Sequence, residues 1–504
     1  MRRILSIILS LSLISASLTF LVSSATAAEP VNQFNITVDA AIEGQIKAFA
    51  EIKAMFDTKD PAPVLADIKA KYIEKFQAGA KALDVFIKAG DPKIDETIIA
   101  TLDLAIEGKL NLGQAKQAID KGLQWYFYFL IKDIINKKAK PAMESGDTAT
   151  AKVELEKAIQ IYAGVLQATA AKRDSKFKTT TQDLLDTVVI PALQADVTKK
   201  DVLGFNLHRQ MLDKTLIKVF ILATLTYAET IPTKPVADQP AAVTEGYFFY
   251  MSVYSYLKGG SAVDADYIKN AYGSGDPSKI NLEAIKLAVT RAIIGKVSEY
   301  GNAAIAKMAA GDLPAAQVYA MEGNMFVAAG ETFIKEKYGE LAYTLATAQG
   351  TQFLETVAAG DITAAKLQVF GTVKLISGIN GVNFKINSKT LTVNGVPQTV
   401  EELAYITPAT SRTLVSAKFL SESLGAEVKW IAASRTVVIS KDGVIAELAV
   451  GSTTVKQNGQ VFEGLTLDQP VVIKNQRSFI PLKAVADLLG FKVFYNNGEI
   501  VIVK

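Results

Sequence analysis

The sequence lacks cysteine altogether and contains one histidine, His208, among its 504 residues. The absence of thiolates excludes cysteine nucleophiles, iron–sulfur clusters, covalently attached c-type haem and cysteine-ligated zinc. One imidazole is too few for a histidine-rich metal centre, and a serine triad would depend on His208 alone. We interpret His208 as a surface or helix-capping residue, and we predict no catalytic residue, no metal site and no cofactor.

An excess of charge of one sign is also missing. The chain has 54 Lys and Arg against 51 Asp and Glu, and its formal net charge is +3. The basic residues are scattered, and nucleic-acid binding requires a concentrated basic surface. The composition therefore predicts no nucleic-acid partner.

Long apolar runs are confined to the N-terminus. Arg2 and Arg3 precede an apolar stretch over residues 4–22, and small residues at 25–27 follow it. This pattern predicts a signal peptide over residues 1–28, with a retained membrane anchor as the alternative. No cysteine follows the stretch, so a lipoprotein anchor is not expected. We predict a secreted, extracellular protein with no stable membrane span after cleavage.

Residues 31–376 are rich in alanine and follow the 3.6-residue period of amphipathic helices. Two shorter apolar runs, 123–131 and 219–228, are too short to cross a bilayer and predict buried helix cores. Gly-Asp pairs recur between the helices, because Gly tolerates the left-handed conformation that ends a helix and Asp caps the next one. The pairs begin at Gly90, Gly146, Gly275, Gly311 and Gly360. We predict a helical bundle containing two divergent repeats, about 85–180 and 208–345.

Two aromatic segments, 125–129 and 247–250, stand out in this helical region. Core packing within a bundle is the favoured interpretation, and a ligand groove or partner surface is the alternative. Three carboxylates, Glu299, Glu322 and Glu331, are interpreted as solvated helix faces. A divalent-cation site made from facing glutamates, or an enzyme that uses only carboxylates, remains open.

After residues 377–381 the pattern changes to short runs of Val, Ile and Thr with Asn-Gly turns. One pattern then occurs twice, at 411–430 and 476–495. Its equivalent positions are Arg412 and Arg477, Gly425 and Gly490, and Trp430 and Tyr495. An Asn-Gly pair, at 394–395 and 458–459, precedes each copy and predicts a two-residue hairpin. The spacing predicts a hairpin, strand, helix and second hairpin in each copy, with the two copies sharing one core.

Region 383–504 resembles the copper amine oxidase N-terminal-like (stalk) domain of secreted Gram-positive proteins. The resemblance lies in the residues over 412–430, in Leu-Asp-Gln-Pro at 467–470 and in Arg-Ser-Phe-Ile-Pro-Leu-Lys at 477–483. One departure is Ser416, where the family usually has Pro as at Pro481, and we expect it to loosen the turn before the helix. Amine oxidase chemistry requires three histidine ligands and a tyrosine-derived quinone, so the resemblance implies no oxidase activity here.

Together these features predict a multidomain protein with an all-α helical bundle followed by a duplicated α+β module. We expect a non-catalytic cell-envelope protein, associated with the cell wall, whose stalk-like module is a binding or spacer unit for the helical region. The expected partner is a cell-wall or surface polymer, or another envelope protein. The candidate binding residues are Arg412, Arg477, Trp430 and Tyr495, although each arginine has the alternative role of pairing with a carboxylate. The alternative function is solute or metal binding within the helical repeats.

Overall fold

The computed structural model describes residues 32–57, 63–85, 87–338, 340–377, 381–393, 396–496 and 498–503. The predicted signal peptide lies outside these residues. The chain divides into two compact units, 1–362 and 363–504, while the secondary structure changes from helix to strand between Ser377 and Gly381. The predicted order, a helical region followed by an α+β module, is confirmed. The predicted limits of the two helical repeats stay a prediction.

Helices occupy almost all of the described part of the first unit, and several of them join through a π-helical turn. The helices are α1 Ala40–Ala54, α2 Leu65–Tyr72, α3 Ala78–Asp84, α4 Ile94–Ile106, α5 Leu112–Ile134, α6 Lys140–Ser145, α7 Thr148–Ile161, α8 Gln167–Phe177, α9 Thr181–Asp183, α10 Ile190–Lys199, α11 Val202–Thr230, α12 Gln239–Gly260, α13 Ala262–Gly273, α14 Leu282–Ala309, α15 Leu313–Ala329, α16 Glu331–Tyr338 and α17 Glu340–Ala359. The π-helical turns are Ile73–Gln77, Ile135–Ala139, Tyr162–Leu166 and Leu184–Val189.

The Gly-Asp joints have the backbone geometry that the sequence predicts. All five glycines have positive φ, between 70° and 83°, which is the region that favours glycine. Asp147 and Asp312 then accept backbone N–H groups of the following helices, at 3.1 and 3.2 Å. Asp91 is the exception, because it is buried and pairs with Lys258 at 2.5 Å. The capping role predicted for Asp91 is therefore wrong.

Asp84, at the end of α3, caps α4 instead of Asp91. Its two carboxylate oxygens accept the N–H groups of Ile94 and Asp95, at 2.6 and 3.0 Å. The Asp95 carboxylate in turn accepts the hydroxyl of Tyr72 at 3.0 Å and the amide of Gln77 at 3.3 Å. One set of side chains thus joins the helix that contains a π-turn to the helix that follows it.

The same set of contacts occurs a second time, at the π-turn between α7 and α8. The hydroxyl of Tyr162 and the amide of Gln167 donate to Asp186, at 2.7 and 2.8 Å. Asp174 caps the next segment by accepting N–H groups at 2.9 and 2.6 Å. In both copies the Gln lies five positions after the Tyr, and the capping Asp lies twelve positions after the same Tyr. The structure therefore contains a repeat that differs from the two predicted from the aromatic segments.

Helix α11 forms the centre of the first unit, and it packs against α8, α10, α12, α14 and α15. The segment Val202–Thr233 is the one stretch, among the described residues, that is long and apolar enough to cross a membrane. Of its most apolar window, 78% is buried inside the protein. Its apolar character is explained by packing in the bundle, as predicted for the run 219–228.

Helix α18, Ile362–Ser377, starts at the boundary of the two units, and the second unit continues as fourteen strands and two short helices in the described residues. The strands are β1 Gly381–Lys385, β2 Thr390–Val393, β3 Val396–Thr399, β4 Tyr405–Ile406, β5 Thr413–Ser416, β6 Glu427–Ile431, β7 Thr436–Lys441, β8 Val444–Ala449, β9 Thr454–Gln457, β10 Gln460–Thr466, β11 Val472–Lys474, β12 Arg477–Pro481, β13 Lys492–Asn496 and β14 Glu499–Val503. The helices are α19 Ala417–Leu424 and α20 Leu482–Leu488.

The two copies of the pattern exchange strands. One sheet has the order β13-β14-β1-β2-β3, and a second has the order β10-β9-β8-β7-β6. Each sheet therefore takes three strands from the start of one copy and two from the end of the other. The remaining sheet, β11-β12-β5-β4, places Val415 opposite Ile480, which are equivalent residues of the two copies. This register indicates a pseudo-twofold axis between them, and apolar residues of both copies form one core.

Turn chemistry explains the hairpins within these sheets. Asn458 and Gly459 have φ values of 53° and 83°, and they join Gln457 to its partner Gln460. Two consecutive positive φ angles are the signature of a type I′ turn. The predicted Asn-Gly hairpin is therefore present in the second copy, whereas the pair at 394–395 lies outside the described residues.

The expectation that Ser416 loosens the turn before α19 is wrong. The Ser416 side chain is buried, and its hydroxyl oxygen accepts the N–H of Phe419 at 3.1 Å. Serine is a favoured helix N-cap because it satisfies an N–H group that has no partner within the helix. At the equivalent position Pro481 fixes the backbone without such a bond. The two copies therefore begin their helices by different means.

We expect Ser416→Ala to lower the free energy of unfolding of the second unit by about 1 kcal/mol, because the Phe419 N–H loses its acceptor. Ser416→Pro introduces the residue of the other copy and is expected to cost less. Urea unfolding measures both by fluorescence in a Trp125→Phe background, where Trp430 is the one tryptophan. Equal midpoints for wild type and Ser416→Ala would show that the cap does not contribute.

Candidate functional site

A groove of about 710 Å³ lies in the second unit, between helix α20 and the ends of the neighbouring strands. It is lined by apolar, charged and aromatic side chains. The lining comprises Ile406, Ser411, Arg412, Thr413, Leu465, Thr466, Asp468, Pro481, Leu482, Lys483, Ala484, Asp487, Val493, Tyr495 and Ile500. A cleft of this size accommodates a ligand of several sugar or amino-acid units in a partly enclosed position.

Charges of both signs line the groove. The Arg412 guanidinium donates to Asp468, and Lys483 donates to Asp487 one turn further along α20, at 2.5 Å. All four side chains remain substantially exposed to solvent. Exposed ion pairs contribute little to stability, so these groups are available to exchange their partners for those of a ligand.

Tyr495 supplies the aromatic surface of the groove. It lies on β13, paired in register with Ile500 of β14, and 55% of its surface is exposed. The rigid strand pair fixes its backbone, while its ring has both an apolar face and a polar hydroxyl. Such rings are frequent in binding surfaces because they bury large contact areas and still form hydrogen bonds.

The structure separates the four predicted binding residues into two pairs. Arg412 and Tyr495 line the groove, whereas Arg477 and Trp430 occupy the equivalent positions of the other copy. Arg477 donates to Glu401 at 3.3 Å, so the alternative role predicted for the arginines, pairing with a carboxylate, applies to both. Trp430 lies on β6 with 47% of its surface exposed. Exchange of strands between the copies explains why residues from different sequence copies share one groove.

Sequence reasoning missed Lys483 and Asp487 as groove residues. Their spacing of four positions places them on one exposed face of α20, where an ion pair is common. That spacing by itself indicates only a solvated helix face. Only the tertiary structure shows that residues of the neighbouring strands lie beside this pair and complete the groove.

The second unit is similar to a known protein family. Residues 392–503 match the family model described as the copper amine oxidase N-terminal domain. The resemblance predicted for the C-terminal region is confirmed over these residues. No curated protein and no solved structure matches the chain. The copper amine oxidase N-terminal domain is a non-catalytic, stalk-like domain.

In the helical unit, His208 is buried and not on the surface as predicted. Its Nδ1 lies 2.6 Å from a carboxylate oxygen of Asp196, at the junction of α10 and α11. Burial raises the pKa of Asp196, although the hydrogen bond from His208 opposes that effect. The pair joins the end of one helix to the start of the next.

The aromatic segments are core elements of the bundle. Trp125, Tyr128 and Phe249 are buried, and Phe220 of α11 lies between the two segments. Its ring centroid is 5.2 Å from that of Tyr128 and 6.0 Å from that of Phe249. The favoured interpretation, core packing, therefore holds, and the segments meet across the central helix.

A largely buried polar cluster accompanies these rings, and we call Asp213, Lys214, Tyr128, Tyr256 and Glu322 the Asp213 cluster. The Asp213 carboxylate accepts the hydroxyls of Tyr128 and Tyr256, at 2.7 and 3.0 Å, and the Lys214 ammonium at 2.7 Å. Burial by itself would raise the pKa of Asp213, but Lys214 and the nearby Lys132 outweigh it and hold that pKa well below its usual range.

The solvated-face interpretation of the carboxylates is wrong for two of the three. Glu322 and Glu331 are buried, and lysines compensate their charge: Glu322 lies 3.4 Å from Lys214, and Glu331 pairs with Lys218. Glu299 is half exposed and pairs with Lys296 at 2.6 Å. In the part of the chain that the structure describes, no three histidine, aspartate or glutamate side chains come close enough together to hold a metal ion.

Buried tyrosines predict unfolding at alkaline pH. Burial raises the pKa of Tyr126 to about 12, and burial together with aspartate neighbours raises the pKa of Tyr72 and Tyr162. Tyrosines of the unfolded chain ionise near pH 10. The stability that comes from keeping the buried tyrosines neutral is therefore complete below pH 10 and is lost as the pH rises above it.

We expect a pH titration to show tyrosinate absorbance at 295 nm rising in a cooperative step, together with loss of helical circular dichroism, above about pH 11. The chain unfolded in guanidinium is the reference, and it should titrate smoothly near pH 10. Complete ionisation of the tyrosines near pH 10 with an unchanged helix signal would contradict this expectation.

Proposed function

We propose that the protein is an exported, non-catalytic envelope protein whose copper amine oxidase N-terminal domain binds a surface polymer. The groove carries this proposal, because it places Arg412, Lys483, Asp487 and Tyr495 around one cleft. A cell-wall polymer offers sugar faces to the tyrosine ring and charged substituents to the paired cations and carboxylates. The helical unit is then the part that the module holds at the surface.

No enzymatic role is proposed for this domain. The matching family is non-catalytic in amine oxidases, and the chain's one histidine cannot supply the copper ligands that the oxidase reaction needs. The alternative function is solute or metal binding in the helical region, and for a metal the described residues offer no cluster of three ligands. The groove in the second unit supports polymer binding as the leading proposal.

Co-sedimentation of the full chain without residues 1–28 with purified bacterial sacculi tests the proposal. We expect wild type to sediment, and Tyr495→Ala to bind about tenfold more weakly, because an anchor residue of this kind contributes on the order of 1–2 kcal/mol. Tyr267→Ala removes a tyrosine of similar exposure from the helical unit and should bind like wild type. If the wild-type protein stays in the supernatant, wall binding is excluded, and a spacer role is the alternative for the module.

A further inference from the structure

A second, smaller cavity lies in the helical unit beside the Asp213 cluster. It has a volume of about 40 Å³, which is more than one water molecule occupies. Side chains from α11, α15 and α17 contribute most of its lining. Hydroxyl, amide and ammonium groups are frequent among them, and we call it the Thr215 cavity.

Two polar atoms of this lining are buried without a partner. They are Oγ1 of Thr215 and Nδ2 of Asn324, in side chains that are 1% and 4% exposed. A buried polar group without a hydrogen bond costs about 1–3 kcal/mol, so such groups are rare in native proteins. Both residues line the cavity, and their unmet bonding capacity points to an occupant.

The chemistry of the lining favours an occupant that accepts hydrogen bonds. The Asn324 nitrogen is a donor only, and the ammonium groups of Lys214 and Lys218 border the same space. Lys214 already donates to Asp213 and Gln210. The one bond that the structure gives Lys218 is to Glu331, which uses one of its three protons.

Glu331 is the single carboxylate among the described residues that line the cavity, and its charge is compensated. It pairs with Lys218 and, at 2.7 Å, with Lys335. Burial would raise the pKa of Glu331, but the two lysines outweigh it and lower that pKa. Lys214 is balanced in the same way by Asp213 and Glu322, so each carboxylate at or behind the lining has a lysine partner.

We propose that the Thr215 cavity binds a small monovalent anion, such as a halide, nitrate or short carboxylate. The anion accepts hydrogen bonds from the Asn324 amide and the Thr215 hydroxyl, beside the Lys218 ammonium with its unused protons. The volume admits a few atoms only, so phosphate esters and sugars are excluded by size. This site is separate from the groove of the second unit and does not depend on polymer binding.

Chloride-35 NMR on the full chain without residues 1–28 provides the test, because bound chloride broadens the signal of the free ion. We expect wild type to give excess broadening that nitrate or acetate removes by competition. Asn324→Leu should weaken chloride binding about tenfold or more, because it deletes a donor to a charged group. Thr215→Val keeps the shape of the side chain, deletes the hydroxyl and should have a similar effect.

Asn302→Leu is the matched control, since Asn302 donates to Ser298 at 3.3 Å away from the cavity. It should retain the broadening of wild type. Circular dichroism identifies any variant that fails to fold. If Asn324→Leu fails to fold, the chloride binding of Thr215→Val decides the test. Absence of competable broadening in wild type, or equal broadening in wild type and both cavity variants, overturns the proposal and leaves ordered water as the occupant.

Discussion

Asp213→Asn is expected to lower the free energy of unfolding of the helical unit by about 3–5 kcal/mol. The substitution keeps the shape of the side chain but removes the charge that compensates Lys214. It also replaces one of the oxygens that accept the Tyr128 and Tyr256 hydroxyls with an amide donor. A buried cation that loses its nearest carboxylate is costly, because it has lost its water and Glu322, at 3.4 Å, returns only part of the attraction.

Urea unfolding at pH 7, followed by helical circular dichroism, measures this loss. Glu144→Gln is the control, because it removes a carboxylate that pairs with Lys140 on the surface, at 2.9 Å. An exposed pair of this kind is worth about 1 kcal/mol or less. If Asp213→Asn were as stable as Glu144→Gln, the buried cluster would not hold the bundle together.

Gly260→Ala is expected to destabilise the helical unit by about 3 kcal/mol or more. A Cβ atom at this position would lie 1.9 Å from the carbonyl oxygen of Ala292, and one at Gly295 would lie 2.0 Å from that of Gly260. The backbones of α12 and α14 therefore touch where they cross. Because the obstacle is main chain and not a flexible side chain, the helices must separate to admit a methyl group.

The same substitution in an open position has the opposite sign. Gly44 lies in α1, and no atom lies within 4 Å of a Cβ placed there. Gly44→Ala should stabilise the helix by roughly 0.5–1 kcal/mol, since alanine loses less backbone entropy on folding. Thermal melting compares the midpoint temperatures of Gly260→Ala and Gly44→Ala with that of wild type. Gly260→Ala melting at the wild-type temperature would contradict the close crossing of α12 and α14.

Local signals in the sequence predicted local structure well. The Gly-Asp joints and the turn at Asn458 follow from backbone conformations that few residue types adopt, so residue identity is enough. Ser416 shows the limit of this reasoning. Its difference from the family suggested a weaker turn, yet serine satisfies the helix N-terminus by another bond.

Buried charge was the principal failure of the sequence-based interpretation. Glu322 and Glu331 belong to helices whose pattern does not reveal that lysines from α11 approach them. Charged residues are rarely buried without a partner, so the expectation of a solvated face was reasonable for each residue alone. The partners are distant in sequence, and only packing of the helices brings them together.

The sequence by itself determined the order of helical region and α+β module, the duplication of the latter, and the absence of cysteine and of histidine clusters. These properties depend on composition, periodicity and turn residues, which act over a few positions. Only the tertiary structure decided that the two copies exchange strands, that Arg412 and Tyr495 share a groove, and that Thr215 and Asn324 face one cavity. Such contacts join residues far apart in the chain, and the close packing of whole elements selects them.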